Sequence, residues 1–237
     1  MNRNPTRIFF LALMVSAIFT TSLFSAEMIA IVTFKSGDVS LKRKDKESAL
    51  TKGITLEKKD TIITRDGFAD IQLGDNSIIR IGKNSNFSLA KIIEDDSKIQ
   101  VELKLNKGSV LTKVVKKLSK NSDYKIITPS VVAGVRGTEF MVQEGEDTES
   151  TKVDEKIKGG VYVKEGSVVV NTDYSSKEIA VNAGEELVCS QKKLKAEVLE
   201  AFVSEKLRIL ETLTIMQELN KTNLNEQLEK NKEFLKK

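Results

Sequence analysis

Arg136 and Glu139 are the residues whose types and spacing most resemble a chemical site in this sequence. Arg136 lies between Gly134 and Gly137 in an otherwise apolar stretch, and Glu139 follows three residues later. A guanidinium in such surroundings needs an acceptor, and one carboxylate can accept two of its N–H groups. We predict that the pair forms a structural clamp that holds a turn between strands. The alternative is that Arg136 binds an anionic ligand or a carboxylate of a partner protein.

The side chains of the commonest catalytic and metal sites are missing from the sequence. Its 237 residues include no His, no Trp and a single Cys, Cys189. A Cys/His zinc site, a Cys–His nucleophile and a Ser–His–Asp triad therefore cannot be assembled. We predict no catalytic residue, no metal site, no cofactor and no enzymatic activity. Cys189 is predicted to be a buried thiol, with an intermolecular disulfide as the alternative.

Two charged segments are predicted to be solvated loops. Lys113–Ser122 is basic, and Glu144–Glu155 carries six acidic residues. The alternative for the acidic loop is a Ca²⁺ site or a contact with a cationic partner. It lacks the alternating acidic ligands and the placed glycine of a helix-loop-helix calcium site.

The overall charge gives no reason to expect a nucleic-acid partner. The chain has 38 Lys and Arg against 34 Asp and Glu, and two of the basic residues, Arg3 and Arg7, precede an apolar run. Nucleic-acid binding normally needs a concentrated basic face. With 40% hydrophobic and 30% charged residues, the composition is that of a globular protein.

Residues 1–26 are predicted to be a signal peptide. The basic start leads into the uncharged run Ile8–Phe24, and Ala26 is a small residue just before Glu27. We therefore expect an exported protein. The alternative is an uncleaved N-terminal helix that anchors the chain, and only in that case would it contact the membrane.

Residues 27–190 are predicted to be a β-rich module. Strand-sized runs recur every 8–12 residues and are separated by Gly-, Asn- and Asp-containing turns. We predict one such turn at Arg65-Asp66-Gly67, between Thr61–Thr64 and Phe68–Leu73.

A weak internal repeat runs through this module. Lys35–Leu41, Lys107–Leu111 and Lys164–Val170 each place a glycine just before a polar residue and an apolar strand. Stacked turn-strand units are typical of a β-solenoid or β-roll. We predict that architecture, with a β-sandwich built from the same strands as the alternative.

Residues 191–237 are predicted to be an α-helical tail. They contain no Gly or Pro, and apolar residues recur at helical spacing, which indicates an amphipathic helix. These residues are Leu199, Phe202, Val203, Ile209, Leu210, Leu213 and Met216. We expect the helix to pack on the β module; the alternatives are oligomerisation and docking to a partner.

The segment from Thr128 to Phe140 resembles the signature of the FecR domain. Matching motifs flank it in the order of that family, and the resemblance covers about residues 60–170. The signature positions in this chain are Thr128, Pro129, Gly134, Arg136, Gly137, Thr138, Glu139 and Phe140.

The resemblance implies a periplasmic, β-rich module. In the regulators that name the family, this module relays a signal from an outer-membrane iron-siderophore transporter, and a cytoplasmic helical segment controls a sigma factor. Only seven residues precede the apolar run here, so we do not expect such a segment in this chain.

We therefore expect a non-catalytic, periplasmic scaffold that binds other envelope proteins. The alternatives are a carbohydrate- or cell-wall-binding module and an enzyme that uses paired carboxylates. Exposed Trp or Tyr normally forms a sugar-stacking platform, whereas this chain has no Trp and only three tyrosines, Tyr124, Tyr162 and Tyr174.

Overall fold

The fold is that of a computed structural model. It describes residues 29–74, 77–94, 99–114, 122–135, 137–146, 156–173, 175–189, 194, 196–200, 203–204, 207–213 and 215. The predicted signal peptide 1–26, residue Arg136, residues 147–155 of the acidic loop and much of the tail lie outside the described residues.

The described chain is mainly β, as predicted, and its strands join in one hydrogen-bonded sheet. The strands in chain order are β1 (Ala30–Arg43), β2 (Lys46–Ala49), β3 (Thr55–Leu56), β4 (Thr61–Leu73), β5 (Ser77–Ile81), β6 (Asn86–Glu94), β7 (Ile99–Val114), β8 (Asp123–Ile127), β9 (Val132–Val135), β10 (Glu139–Glu144), β11 (Gly160–Glu165), β12 (Ser167–Thr172), β13 (Ser175–Asn182), β14 (Glu185–Val188) and β15 (Glu197–Val198).

Three long strands, β1, β4 and β7, pass through both halves of this sheet. Their segments 30–36, 67–73 and 108–114 lie in the half that also contains β5, β10, β11, β14 and β15. We call this half the first half-sheet.

The second half-sheet contains the other ends of the same strands, residues 39–43, 61–64 and 99–107. It continues through β6, β8, β9, β12 and β13, and β2 pairs at its edge. The two halves pack on one continuous apolar core, to which both ends of β1, β4 and β7 contribute.

The long strands change the parity of their buried side chains where they bend. In β7, Val101, Leu103 and Leu105 face the core before the bend, whereas Val110 and Val114 face it afterwards. Inward-facing residues of one flat strand would all share a parity, because successive side chains alternate between its faces. The bend is therefore a corner, at which β7 leaves one half-sheet and enters the other.

The glycines of the repeat lie at these corners. Gly37, Gly108 and Gly166 have φ angles of 71°, 90° and 83°, a region that L side chains rarely adopt. A Cβ atom at residue 108 would lie 2.6 Å from the Cα atom of Ser85, and one at residue 166 would lie 2.6 Å from the carbonyl oxygen of Gly137. The glycines of the weak sequence repeat therefore lie where the chain passes from one half-sheet to the other.

One sequence-based prediction differs from the structure here, and a second is not confirmed. The turn predicted at residues 65–67 is a bend inside the continuous strand β4, because Gly67 passes directly against the backbone of β1 at Ser36 and Asp38. A β-solenoid or β-roll is not confirmed. The described strand pairs are antiparallel except for β7 with β8, whereas the stacked coils of a β-helix pair in parallel.

The described part of the tail lies against the outer face of the first half-sheet. It first adds the short strand β15 to β14, which corrects the expectation of an entirely helical tail. Its described helical residues lie between 203 and 215, and we call this segment the C-terminal helix. Among the described residues, no helix is long and apolar enough to cross a membrane.

The C-terminal helix and the sheet share a second apolar cluster on this outer face. The helix contributes Val203, Leu207, Leu210 and Leu213, and all four side chains are buried. The sheet contributes Ile78, Leu111, Met141 and Tyr162. The predicted packing of the helix on the β module is thus found in the described residues.

Candidate functional site

The turn that opens the signature segment is closed by its own side chains. Thr128 Oγ1 accepts hydrogen bonds from the backbone N–H groups of Ser130 (3.1 Å) and Val131 (3.0 Å), and Ser130 Oγ donates to Glu144 Oε1 over 2.8 Å. Pro129 is exposed at the tip, where a residue without an N–H group leaves no donor unsatisfied. This end of the signature builds the connection from β8 to β9.

The later signature residues position the crossing from β9 to β10. Gly137 has a φ angle of 68°, and Thr138 Oγ1 donates to the carbonyl of Ser167 over 3.0 Å. Phe140 is fully buried in the core. Gly134 differs, because it lies in β9 and an added Cβ would meet only Val169 O, at an ordinary distance of 3.6 Å.

Glu139 is the charged centre of the first half-sheet's outer face. Its side chain is buried, and it forms ion pairs with Lys113 on β7 and with Lys164 on β11, the latter at 3.5 Å. Lys164 also pairs with Glu211 of the C-terminal helix at 2.8 Å. Arg136 lies outside the described residues, so the Arg136–Glu139 clamp stays a prediction. Sequence reasoning missed both lysines, because only the cross-strand register brings them to Glu139.

A second buried ion pair lies on the same face, toward β4. Arg80 Nε donates to Asp70 Oδ1 over 2.6 Å and Arg80 Nη2 donates to Asp70 Oδ2 over 2.7 Å, in bidentate geometry. Burial raises the pKa of the Asp70 carboxyl, although the Arg80 guanidinium opposes that shift. The guanidinium also lies 4.5 Å from the ring centre of Phe68, which in turn stacks on the partly exposed Phe34.

A groove of about 210 Å³ separates this aromatic–cation stack from the C-terminal helix. Its lining includes Phe68 and Arg80 of the stack, Ile209 of the helix, and Leu111 and Met141 of the sheet. Lys83, Ser109 and Gln143 add polar atoms. The groove is an apolar continuation of the surface on which the helix packs.

The beginning of the tail is held by a buried carboxylate. Glu186 Oε2 accepts a hydrogen bond from the backbone N–H of Glu200 over 3.1 Å, and Glu197 lies directly opposite Glu186 in the strand pairing. Burial raises the pKa of Glu186, the hydrogen bond opposes the shift, and the charges of Glu200 and Glu197 add to it.

Two of the tyrosines and the single cysteine are buried or partly buried. Tyr124 and Tyr162 are buried, and Tyr162 OH donates to the carbonyl of Lys158 over 2.7 Å. Cys189 is partly buried, and its burial raises the pKa of the thiol to about 11, which disfavours the reactive thiolate. Within the described residues, no cluster of three or more Asp, Glu, Cys or His side chains has metal-binding geometry.

The FecR protein family matches residues 60–169, just under half of the chain. These residues are a FecR domain. Strands β5, β7, β10 and β11, which carry the outer face described above, all lie within it, whereas the C-terminal helix lies beyond its end.

The comparison with solved structures returns distant neighbours. Two crystal structures of a proposed anti-sigma factor from Parabacteroides distasonis ATCC 8503 align with TM-scores of 0.45 and 0.43, at 13% and 14% sequence identity. Each alignment covers 59% of this chain and 59% of the other, so this chain spans about three-fifths of their length. No curated protein matches the sequence.

Proposed function

We propose that this protein is a non-catalytic, exported scaffold whose FecR domain binds other proteins of the cell envelope in signalling or regulation. The observation that carries the proposal is the FecR domain at residues 60–169. The family is regulatory, and its members act through contacts with other proteins. The predicted signal peptide at residues 1–26 supports the location outside the cytoplasm.

The chemistry of the first half-sheet's outer face supports a protein partner. Aromatic and Arg side chains are enriched in protein interfaces, and this face combines Phe34, Phe68 and Arg80 beside the groove. A sugar-binding role receives less support, because Tyr124 and Tyr162 are buried and cannot stack on a ligand.

Fractionation and site-specific photocrosslinking in the native cell would test the proposal. A photoreactive residue replaces Phe34, which is exposed beside the groove, and a matched variant carries it at Lys177 on the edge strand β13. We expect the mature chain to begin at Glu27 in the envelope fraction, and the residue-34 variant to form a discrete protein adduct. Recovery from the cytoplasm would contradict the proposed location. Adducts only with cell-wall glycan would contradict the protein scaffold.

A further inference from the structure

The C-terminal helix occupies an apolar surface that belongs to the FecR domain. Leu207, Leu210 and Leu213 of the helix are fully buried against the sheet side chains. They recur every three residues, so they lie along one side of the helix. The surface beneath them is thus shaped to receive an amphipathic helix, which is a recurrent mode of peptide recognition.

The same surface offers a lysine to a carboxylate of the helix that it receives. Lys113 and Lys164 flank the single buried carboxylate of Glu139, so this part of the face carries one more positive than negative charge. Glu211 supplies the compensating carboxylate from the helix, 2.8 Å from Lys164 Nζ. The hydrogen bond with Lys164 is the main cause that lowers the pKa of the Glu211 carboxyl.

The described residues of the C-terminal helix do not fill the surface. The groove of about 210 Å³ stays open beside Ile209, and it is lined by Phe68, Leu111 and Met141 of the FecR domain. At the far end of the described helix, Ile215 is 65% exposed. A helix with a larger side chain at the position of Ile209 would bury more of this apolar lining.

We propose that this outer face is a binding site for an amphipathic helix of a partner protein that presents a carboxylate to Lys164, and that the C-terminal helix covers it until the partner displaces it. This inference rests on the proposed scaffold function and names the surface and the class of partner. The tail then acts as a competitive cover carried by the same chain.

Exchange between the two helices is physically reasonable because docking orders the tail. A helix in a protein owes most of its stability to packing, so the tail loses conformational freedom each time it docks. A partner helix that is already formed avoids much of that cost and gains affinity from its preorganisation. The covering tail, in turn, benefits from being tethered to its site.

The test uses the full chain with its helix undocked by a single substitution. Leu210→Asp places a charge in the buried contact, and Thr212→Asp places the same charge on the exposed side as a matched control. The probe is a fluorescent synthetic peptide with the sequence of residues 200–215. We expect it to bind Leu210→Asp at least tenfold more tightly than it binds the wild type or Thr212→Asp. Leu213→Asp gives a second undocked variant if Leu210→Asp fails to fold.

Two further readouts locate the bound peptide. Peptide binding should slow the peroxide oxidation of Met141, which lies under the helix. Adding Lys164→Gln to the undocked chain should weaken the peptide about threefold, and it should not change the binding of a Glu211→Gln peptide.

Equal affinity for the undocked and wild-type chains would overturn the inference, as would binding that leaves Met141 unprotected. The scaffold function would survive that outcome if the photocrosslinked adduct at residue 34 persisted. Loss of the adduct together with tight peptide binding would instead remove the scaffold function and keep the helix-binding face.

Discussion

The two ends of strand β7 show how differently the two half-sheets are used. In the second half-sheet, β7 alternates between buried residues such as Leu103 and solvent-facing residues such as Lys104. In the first half-sheet, Leu111 on the outer face is buried as well as Val110 and Thr112, because the C-terminal helix lies over it. One strand therefore has a one-sided core at one end and a two-sided core at the other.

This difference shows that the burial pattern of a strand reports what covers it as well as which sheet it belongs to. A sheet with one solvated face gives regular alternation, and a sheet covered on both faces gives a nearly continuous buried run. On the outer face of the second half-sheet, Val169 is 39% exposed. Ala180, which lies opposite Val169 on β13, is exposed as well. The first half-sheet needs the tail to complete its burial.

The largest effect is expected from the buried ion pair on the covered face. Asp70→Asn should lower the free energy of unfolding by about 3–5 kcal/mol, because it leaves the Arg80 guanidinium buried without its bidentate partner. Glu47→Gln is the matched change at the exposed pair with Arg65, and it should have little effect. Urea denaturation of both variants measures the contrast. Equal losses of unfolding free energy would contradict the claim that burial makes the Asp70–Arg80 pair more important for stability than the exposed pair.

The corner between the two ends of β7 is the next most sensitive position. Gly108→Ala should cost about 3 kcal/mol, because the residue combines a φ angle of 90° with a Cβ position that overlaps Ser85. Gly53→Ala is the control, since Gly53 has a φ angle of 84° but open space around its Cβ position, and it should cost about 1 kcal/mol. Thermal and urea unfolding would compare them. If the Gly108→Ala protein were as stable as Gly53→Ala, the close approach of residue 108 to Ser85 at the corner of β7 would be contradicted.

Shortening one buried side chain of the C-terminal helix should destabilise the protein less than either of these changes. Leu210→Ala removes a fully buried side chain from the contact with Leu111 and Met141, and we expect a loss of about 2 kcal/mol. Thr212→Ala, on the exposed side of the same helix, should cause little change. Urea denaturation and limited proteolysis of the tail are the measurements. If the two variants have the same stability and the same cleavage rate, the helix contributes nothing to the first half-sheet.

The smallest effect concerns the pH dependence of tail docking at Glu186. Its folded-state pKa is raised, so its contribution to stability is fully present below the unfolded pKa near 4.5 and is lost as the pH rises through the folded value. Glu186→Gln should therefore match the wild type at pH 4 and be more stable at pH 7. Unfolding measured across that range checks the sign. A variant that is less stable at pH 7 than at pH 4, relative to the wild type, would contradict it.

The β-rich class, the FecR domain and the packing of the helix were accessible from the sequence, because they rest on local patterns. Alternation of apolar residues predicts strands, and leucines at helical spacing predict the buried side of the tail. The glycines of the repeat were also visible. Their role as corners was not, because the turn predicted at Asp66-Gly67 is a bend whose direction depends on the neighbouring strand β1.

The composition of the outer face could not be predicted, because it depends on register. Lys113, Glu139 and Lys164 come from three strands that are far apart in sequence, and only the pairing of β7, β10 and β11 makes them neighbours. The Asp70–Arg80 pair similarly depends on the register of β4 with β5. The Arg136–Glu139 clamp stays a prediction, and the lysine partners of Glu139 emerge only from the fold.

The central claim, that the C-terminal helix covers the outer face of the FecR domain, is tested most directly by the oxidation rate of Met141. Dilute peroxide converts accessible methionine to its sulfoxide, and peptide mass spectrometry reads the rate at this single residue. Met141 is 1% exposed beneath the helix. We predict slow oxidation in the wild type and in Thr212→Asp, and much faster oxidation in folded Leu210→Asp. Rapid oxidation in the wild type, or the same slow rate in all three proteins, would contradict the account.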